Sequence, residues 1–498
     1  MLTIVINGFG ECNIIVAGTS RFPVTLDPAE PWDDSSTIYI KSIFDTLVTL
    51  EPSTLRVLPS LAISWKSSDN GLNWIFNLRH GVSFHDGTPF NADAVVFTFD
   101  RLRNKKSKYR FYAFPLYDEI FYALKEVKKI DEYTVAFTLS EPFAPFLATL
   151  SVDCVSIISS SAVKNHKADF HNHPVGTGPF KLSMWKKEKR LELLRFDGYW
   201  GKKPGFSKYI TILSNNLNSL LNSFKEKKID VLFSFSISRL VSLKGLSWVG
   251  RSETMSLAST FLVFNFNNTY LKNPLFRKAM NYLWNPKIVK LVYQNYASPL
   301  YSVIPYGVPG YRKDNLYPFS VEKAKRMLSK AGIKNNINLR FLLMEGSGLA
   351  LHIITLYSRN LRKAGIKLKI ERVKTGKEYN DKIVKGDFDL TYSGWIADYP
   401  DTDSMVRPLF SKDMKKNGFP NFSEWKNDKV RKLINEARKT GDIKKRELLY
   451  KKINNIISIN ALSVPLYQSK LVVIYNRRIG ELKVTPFRMM NLLSLGEK

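Results

Sequence analysis

An α/β chain of at least two lobes, each built on mixed β-sheets, is the fold class the sequence predicts. Three observations predict it. With 498 residues the chain exceeds what one hydrophobic core accommodates. Between residues 339 and 393, strand-like apolar runs (339–344, 367–372, 388–393) alternate with helical patterns (349–364, 379–385). That β-α-β-α-β series implies a mainly parallel sheet with right-handed crossovers. A further β-α-β unit is read at 209–213, 215–227 and the run IDVLFSF from Ile229. A hydrophobic content of 44% with 13% aromatics supplies such cores and excludes a disordered chain.

In chain order, 13–16 reads as a short strand, and Leu26-Asp27-Pro28 leads to a Ser/Thr-capped apolar run, 38–50, expected as a helix. Asp69-Asn70-Gly71 and Asp86-Gly87 are hairpin signals. Asn91 is placed to cap a helix over 94–103, and 131–140 alternates as a single strand. Pro142 and Pro145 punctuate a turn into a helix, and two strands follow a Gly-Thr-Gly-Pro turn at 176–179. The stretch 253–267 reads as a crossing into the second lobe, 321–331 as a helix ended by Gly332, and 429–437 and 444–455 as basic helices. The run 464–467 then leads the chain back. There is no internal repeat.

Lys and Arg number 75 against 44 Asp and Glu, a formal charge of +31. A positive total suits nucleic acid, an anionic membrane surface or an acidic ligand. The basic residues are spread over 105–110, 186–190, 225–228, 412–416 and 444–452, with no aromatic-interleaved RNA motif and no metal-finger spacing. Nucleic acid is therefore not the expected partner, whereas loose attraction to anionic lipid remains. Two cysteines, Cys12 and Cys154, make no disulfide framework but leave one bridge open. The N-terminal MLTIVINGFGEC lacks a basic region and a long apolar run, so it is not read as a signal peptide. It also fits a lipid-anchoring site at Cys12 badly. No stretch reaches the roughly 18 apolar residues of a membrane span.

The candidate site lies in 386–410, GDFDLTYSGWIADYPDTDSMVRPLF. Phe388, Leu390 and Tyr392 alternate with polar residues, a strand expected to break at Gly394, and Trp395 and Asp398 follow in a turn-rich segment. An indole and a carboxylate at a strand end form a candidate pocket whose acid accepts an ammonium group. The competing reading is that an acid next to Asp401 and Asp403 is a turn former or helix cap. Other chemistry is weaker. The His85-Asp86 pair sits in a hairpin turn without a nucleophile. Gly8-Phe9-Gly10 has Asn13 where a dinucleotide motif needs glycine, and 245–252 has Arg251 where a phosphate loop needs lysine. His166, His171 and His173 cluster, but at no recognised metal-ligand spacing. Neither a catalytic group nor a cofactor site is expected.

The segment GWIADYPDTDS resembles the G-W-x-x-D-Y-x-[DE]-P segment of the periplasmic dipeptide- and oligopeptide-binding proteins, family 5 of the extracellular solute-binding proteins that serve ABC importers. LDP, IFDTLVTLEP, the run from Val57 to Leu102 and HPVGTGPFKLSMWKKEKRLELLRFDGYW follow in that family's order. The resemblance implies a two-lobed periplasmic-binding-protein fold of the large, three-subdomain type, with a hinged interlobe cleft. Residues 1–50, 169–255 and 467–498 would form lobe I, 51–168 a subdomain inserted in it, and 256–466 lobe II. It implies an Asp398 that takes a peptide ammonium, backbone pairing from Gly394 to Ile396, and Trp395 as a pocket wall. Trp32 and Asp33 would pair from the first lobe, Tyr109 would form another wall, and Tyr392 occupies the region where relatives selecting long peptides carry an Arg. Thr402 replaces the usual Pro. The implied protein is a monomeric receptor in the periplasm or cell envelope, without cofactor, handing oligopeptides to an inner-membrane ABC permease. A receptor for a nickel or other metal chelate, and a basic surface-interaction protein, are the alternatives.

Overall fold

The computed structural model describes residues 13–30, 34–111, 115–233, 242–333, 336–410, 425, 427–487 and 489–490. They fall into two compact units, Met1–Thr254 with Leu471–Lys498, and Met255–Lys470. The chain thus passes between units twice.

In the first unit the strand Ile14–Thr19 pairs in parallel with Lys208–Leu213 on one side and Val231–Leu232 on the other. The expected β-α-β unit is present, with the helix Leu217–Lys225 between those two strands in sequence, but the first strand is inserted between them in space. Its residues Ile15 and Ala17 are fully buried, as a central strand covered on both faces requires. The antiparallel strands Arg190–Arg195 and Phe180–Lys186 complete this edge, over a core that includes Tyr39, Ile40, Leu191, Phe206 and Tyr209.

Two expectations are corrected. The helix expected over 38–50 is Asp34–Ile43, followed by a strand Val48–Leu50 paired with Val57–Pro59. The Ile43 carbonyl ends the helix by accepting the Gly178 N–H at 2.9 Å, and a Cβ on Gly178 would lie 2.6 Å from that carbonyl carbon. The β-branched residues beyond it, Thr46, Val48 and Thr49, favour extended chain. The strand expected over 131–140 begins only at Thr134 and runs to Leu139, because the Asp131 carboxylate accepts the Tyr133 N–H at 2.9 Å and turns the chain, and an unexpected strand, Leu124–Asp131, precedes it. With Ala62–Ser67 and Asn73–Leu78 they form a four-stranded antiparallel sheet.

Asn91 caps the helix Ala92–Arg103, accepting from the Asp93 and Ala94 amides. Near the end of this helix Arg101, 1% exposed, forks onto Asp27 of the Leu-Asp-Pro loop and donates from Nε to the Tyr109 carbonyl at 2.9 Å. One buried guanidinium therefore fixes two loops.

In the second unit Ile337–Met344 is the centre of three parallel strands, with Ile366–Val373 on one side and Leu390–Ile396 on the other. The helices Gly348–Arg362 and Gly376–Lys385 connect them, as the alternation predicts. Ala258–Phe264 lies antiparallel to Leu390–Ile396 and to Ser463–Asn476. The third strand does not break at Gly394: it pairs Gly394 with Thr260 and continues to Ile396. Glycine serves a close approach there, since a Cβ would come 2.8 Å from the Ser259 carbonyl oxygen. The helices Asp428–Lys439 and Ile443–Ile459 follow.

Replacing Arg101 by Met leaves the Asp27 carboxylate buried without its ion partner, which costs about 3–5 kcal/mol, whereas removing both charges together recovers most of the loss. Urea unfolding of the Arg101→Met and Asp27→Leu/Arg101→Met variants checks this ordering.

Candidate ligand-binding segment

The strand Leu390–Ile396 carries Gly394, Trp395 and Ile396 at its end, and the Ala397 N–H closes it onto the Leu257 carbonyl at 2.9 Å. The chain then bends through 398–402 into the helix Asp403–Phe410. The Trp395 indole N–H donates to the Ser404 carbonyl at 2.8 Å, tying the ring across the bend to that helix.

The three acids of the segment have different surroundings. Asp403 is fully buried, with Arg438 Nε at 3.1 Å and the Tyr399 hydroxyl donating to it at 2.8 Å. Asp401, 5% exposed, accepts the Tyr450 hydroxyl at 2.8 Å and the Asp403 N–H at 2.9 Å, and is ion-paired with Arg446. The turn-forming and capping role therefore belongs to Asp401. The Thr402 hydroxyl donates to the Pro309 carbonyl, a local anchor for the bend. Asp398 sits half-buried in the bend itself. An acid at that position, between a tied indole and two pinned neighbours, can accept a cationic group from a ligand.

Tyr392 is placed differently from a pocket wall open to water. Its hydroxyl meets that of Tyr467, which lies 2.6 Å from the Tyr293 hydroxyl. Burial first, and the neighbouring phenols second, push Tyr392 well above the ordinary phenol range. The network is neutral and braces the strand. Tyr109 belongs to the first unit, half-buried, with its ring 5.3 Å from Phe97 and Lys108 Nζ 5.2 Å above it. Trp32 and Asp33 lie outside the described residues. The structure thus brings Tyr392, Gly394, Trp395, Ile396 and Asp398 onto one strand and bend.

Sequence reasoning missed Arg438, Arg446 and Tyr450, which read as parts of solvated basic helices. Arg446 and Tyr450, four residues apart on one helix, were the available signal, since that spacing places both on one face, whereas Arg438 lies on the preceding helix and left none.

The remaining candidates have structural surroundings. His85 Nε2 lies 2.9 Å from the Gly178 carbonyl and Nδ1 accepts the Gly176 N–H at 3.4 Å, while Asp86 accepts from Ser159, Ser161 and Thr88. Burial lowers the imidazole to about 4, so it stays neutral. His166 and His173 stack at 4.2 Å, His173 faces Asp169 at 3.1 Å, and His171 rests on the Ala168 carbonyl. Among the described residues no group of three or more His, Cys, Asp or Glu is arranged to hold a metal ion. Cys154 is buried, and Cys12 and the Gly8–Gly10 pattern lie outside the described residues. In the 245–252 stretch Gly250 packs against the Tyr475 ring, which fills the space a phosphate cradle would need.

Comparison with known proteins places this geometry in context. The model of the bacterial extracellular solute-binding proteins, family 5 Middle, matches residues 56–417. The dipeptide-binding protein of Escherichia coli (strain K12) is 31% identical over 434 residues, covering 82% of this chain and 80% of that protein. The glutathione-binding protein GsiB of Escherichia coli O6:K15:H31 is 27% identical over 488 residues, 96% and 93% of the two chains. The ABC transporter-associated periplasmic binding protein DppA from Helicobacter pylori, solved with the peptide STSA, superposes with a TM-score of 0.83 at 28% identity, covering 97% and 98%.

Two measurements separate frame from ligand. Asp403→Ala strands the Arg438 charge in the interior and lowers unfolding stability by about 3–5 kcal/mol, read by urea denaturation without ligand. His85, held near 4 against an ordinary 6.5, binds its proton in the unfolded chain first. Its contribution is therefore present above pH 6.5 and is lost as pH falls through the folded value. Between pH 7 and pH 4 the native protein loses about 3 kcal/mol more than His85→Gln, which has no proton to gain.

Proposed function

The chain belongs to the bacterial extracellular solute-binding proteins of family 5, and on that premise we propose that it is a peptide receptor that grips its ligand's amino terminus with Asp398. The family and fold are those of substrate-binding receptors, which are not enzymes, and family 5 proteins are periplasmic and work with an ABC permease. The observation that carries the reading is the rigid bend at 398–402. Its two flanking acids are held by arginines inside the unit, its indole is tied to the next helix, and Asp398 lies half-buried between them.

A receptor for many peptides must hold what all of them share. Each has an ammonium terminus and a backbone of amides, so one carboxylate and one strand edge suffice for affinity. Side chains can then rest in hydrated space where waters adapt to each ligand. Pairing of 390–396 with 337–344 is confined to Leu390 and Thr391, so Gly394 and Ile396 lie beyond that neighbour, where an extended ligand strand would add. Trp395 walls a side-chain pocket in this reading, and Trp32, Asp33 and Tyr109 are its candidates in the first lobe. The division of that lobe around an inserted 51–168 subdomain is part of the same reading.

The relatives named above are designated for a dipeptide, for glutathione and, in one structure, for the peptide STSA, and all such ligands present an ammonium group. We assign this chain short oligopeptides, action as a monomer in the periplasm or cell envelope, and delivery to an inner-membrane permease. Calorimetry with a defined mixture of short peptides and its N-acetylated counterpart tests the assignment. Asp398→Ala should cost about 3–5 kcal/mol, two or more decades in affinity. Equal binding of the acetylated peptides would remove the ammonium role.

A further inference from the structure

The charge of +31 has no part in holding a peptide terminus, and the helix Ile443–Ile459 shows where some of it is concentrated. Its inner face, Leu449, Tyr450, Ile453, Asn454 and Ile457, is buried in the second unit. The outer face of a helix on a soluble protein is ordinarily polar and of mixed sign. This one is not. Its exposed residues are Ile443, Lys444, Lys445, Leu448, Lys451, Lys452, Asn455 and Ile459, and the single acid of the helix, Glu447, is taken up by Lys451.

Ile443 is 74% exposed, Leu448 58% and Ile459 45%. Lys451 is paired with Glu447 at 2.8 Å, but Lys444, Lys445 and Lys452 have no acidic partner among the described residues. At 3.6 residues per turn Leu448 and Ile459 share the outer face with Lys444, Lys445, Lys451 and Lys452, about 16 Å apart along the helix, whereas Ile443, the first residue, lies on the side of Tyr450 and Asn454. That composition matches helices that lie in the plane of a bilayer, with apolar groups entering the headgroup boundary and lysines meeting lipid phosphate.

We propose that the outer face of the 443–459 helix rests on an anionic membrane surface. Two apolar contacts, Leu448 and Ile459, and three lysines give weak, reversible attachment, which concentrates a receptor near its membrane without fixing it there. The inference stands apart from the identity of the ligand.

Flotation of the full chain with vesicles of phosphatidylcholine alone, or with one part phosphatidylglycerol to two of phosphatidylcholine, tests it in low and high salt. Binding should require phosphatidylglycerol and fall in high salt. Lys444→Glu/Lys445→Glu/Lys452→Glu should weaken it at least about tenfold. Leu448→Ser/Ile459→Ser should weaken it severalfold at unchanged charge. The control Lys66→Glu/Lys125→Glu/Lys186→Glu alters the total charge equally on the other unit and should retain most of the binding. A thermal midpoint near that of the native chain confirms that each variant folds. No preference for phosphatidylglycerol, an equal loss in the control, or an unaffected Leu448→Ser/Ile459→Ser variant would overturn the proposal. Vesicle binding unchanged in the triple-glutamate helix variant would do so too, and would leave the face to a protein partner.

Discussion

Two buried acid–arginine pairs, Asp401 with Arg446 and Asp403 with Arg438, govern the geometry on which the second unit's candidate site depends. Taking four charges out of water is costly, and apolar residues of equal volume would serve stability as well or better. What the pairs supply is position. They join a bend of a few residues to two long helices, so that the bend cannot slide along the strand that precedes it. The Trp395–Ser404 hydrogen bond closes the same frame from the strand side. A carboxylate carried on such a bend keeps its geometry while the ligand varies, which is the preorganisation a promiscuous receptor needs.

The first unit uses the same device once more. Arg101 holds the Leu-Asp-Pro loop through Asp27 and the 109 backbone through its carbonyl, and the loop leads directly to the segment that contains Trp32 and Asp33. In both units a charged pair with no access to ligand fixes a loop whose neighbours are candidates for contact. Catalysis would call for groups poised to exchange protons. Two of the perturbed groups, His85 between two backbone groups and Tyr392 in a network of phenols, are instead neutral and internally bonded.

The alternating second half of the chain was legible because its strands and helices differ in both period and punctuation. Gly386, for example, ends its helix in the left-handed conformation that glycine adopts without strain. Errors arose where tertiary contact overrode a local pattern. The 38–50 run is mostly apolar, and nothing within it reveals that a turn about 130 residues later would end the helix at Ile43. The strand Leu124–Asp131 was missed because the turn that joins it to Thr134–Leu139 lacks glycine and depends on one Asp131 hydrogen bond. Gly394 read as a strand end, when its bare Cα permits the strand to continue past Ser259. At the site the strand and its acids were visible, but the arginines holding them were not. An arginine on an amphipathic helix looks the same whether its head meets water or a buried carboxylate.

A crystal structure of the protein with a short peptide bound tests the central claim most directly, because it locates the ligand's amino terminus. The account predicts the terminal nitrogen within about 3 Å of an Asp398 carboxylate oxygen, with the 398–402 bend unmoved and the Asp401 and Asp403 pairs intact. A ligand whose amino terminus is held elsewhere, with Asp398 turned to solvent, would contradict it.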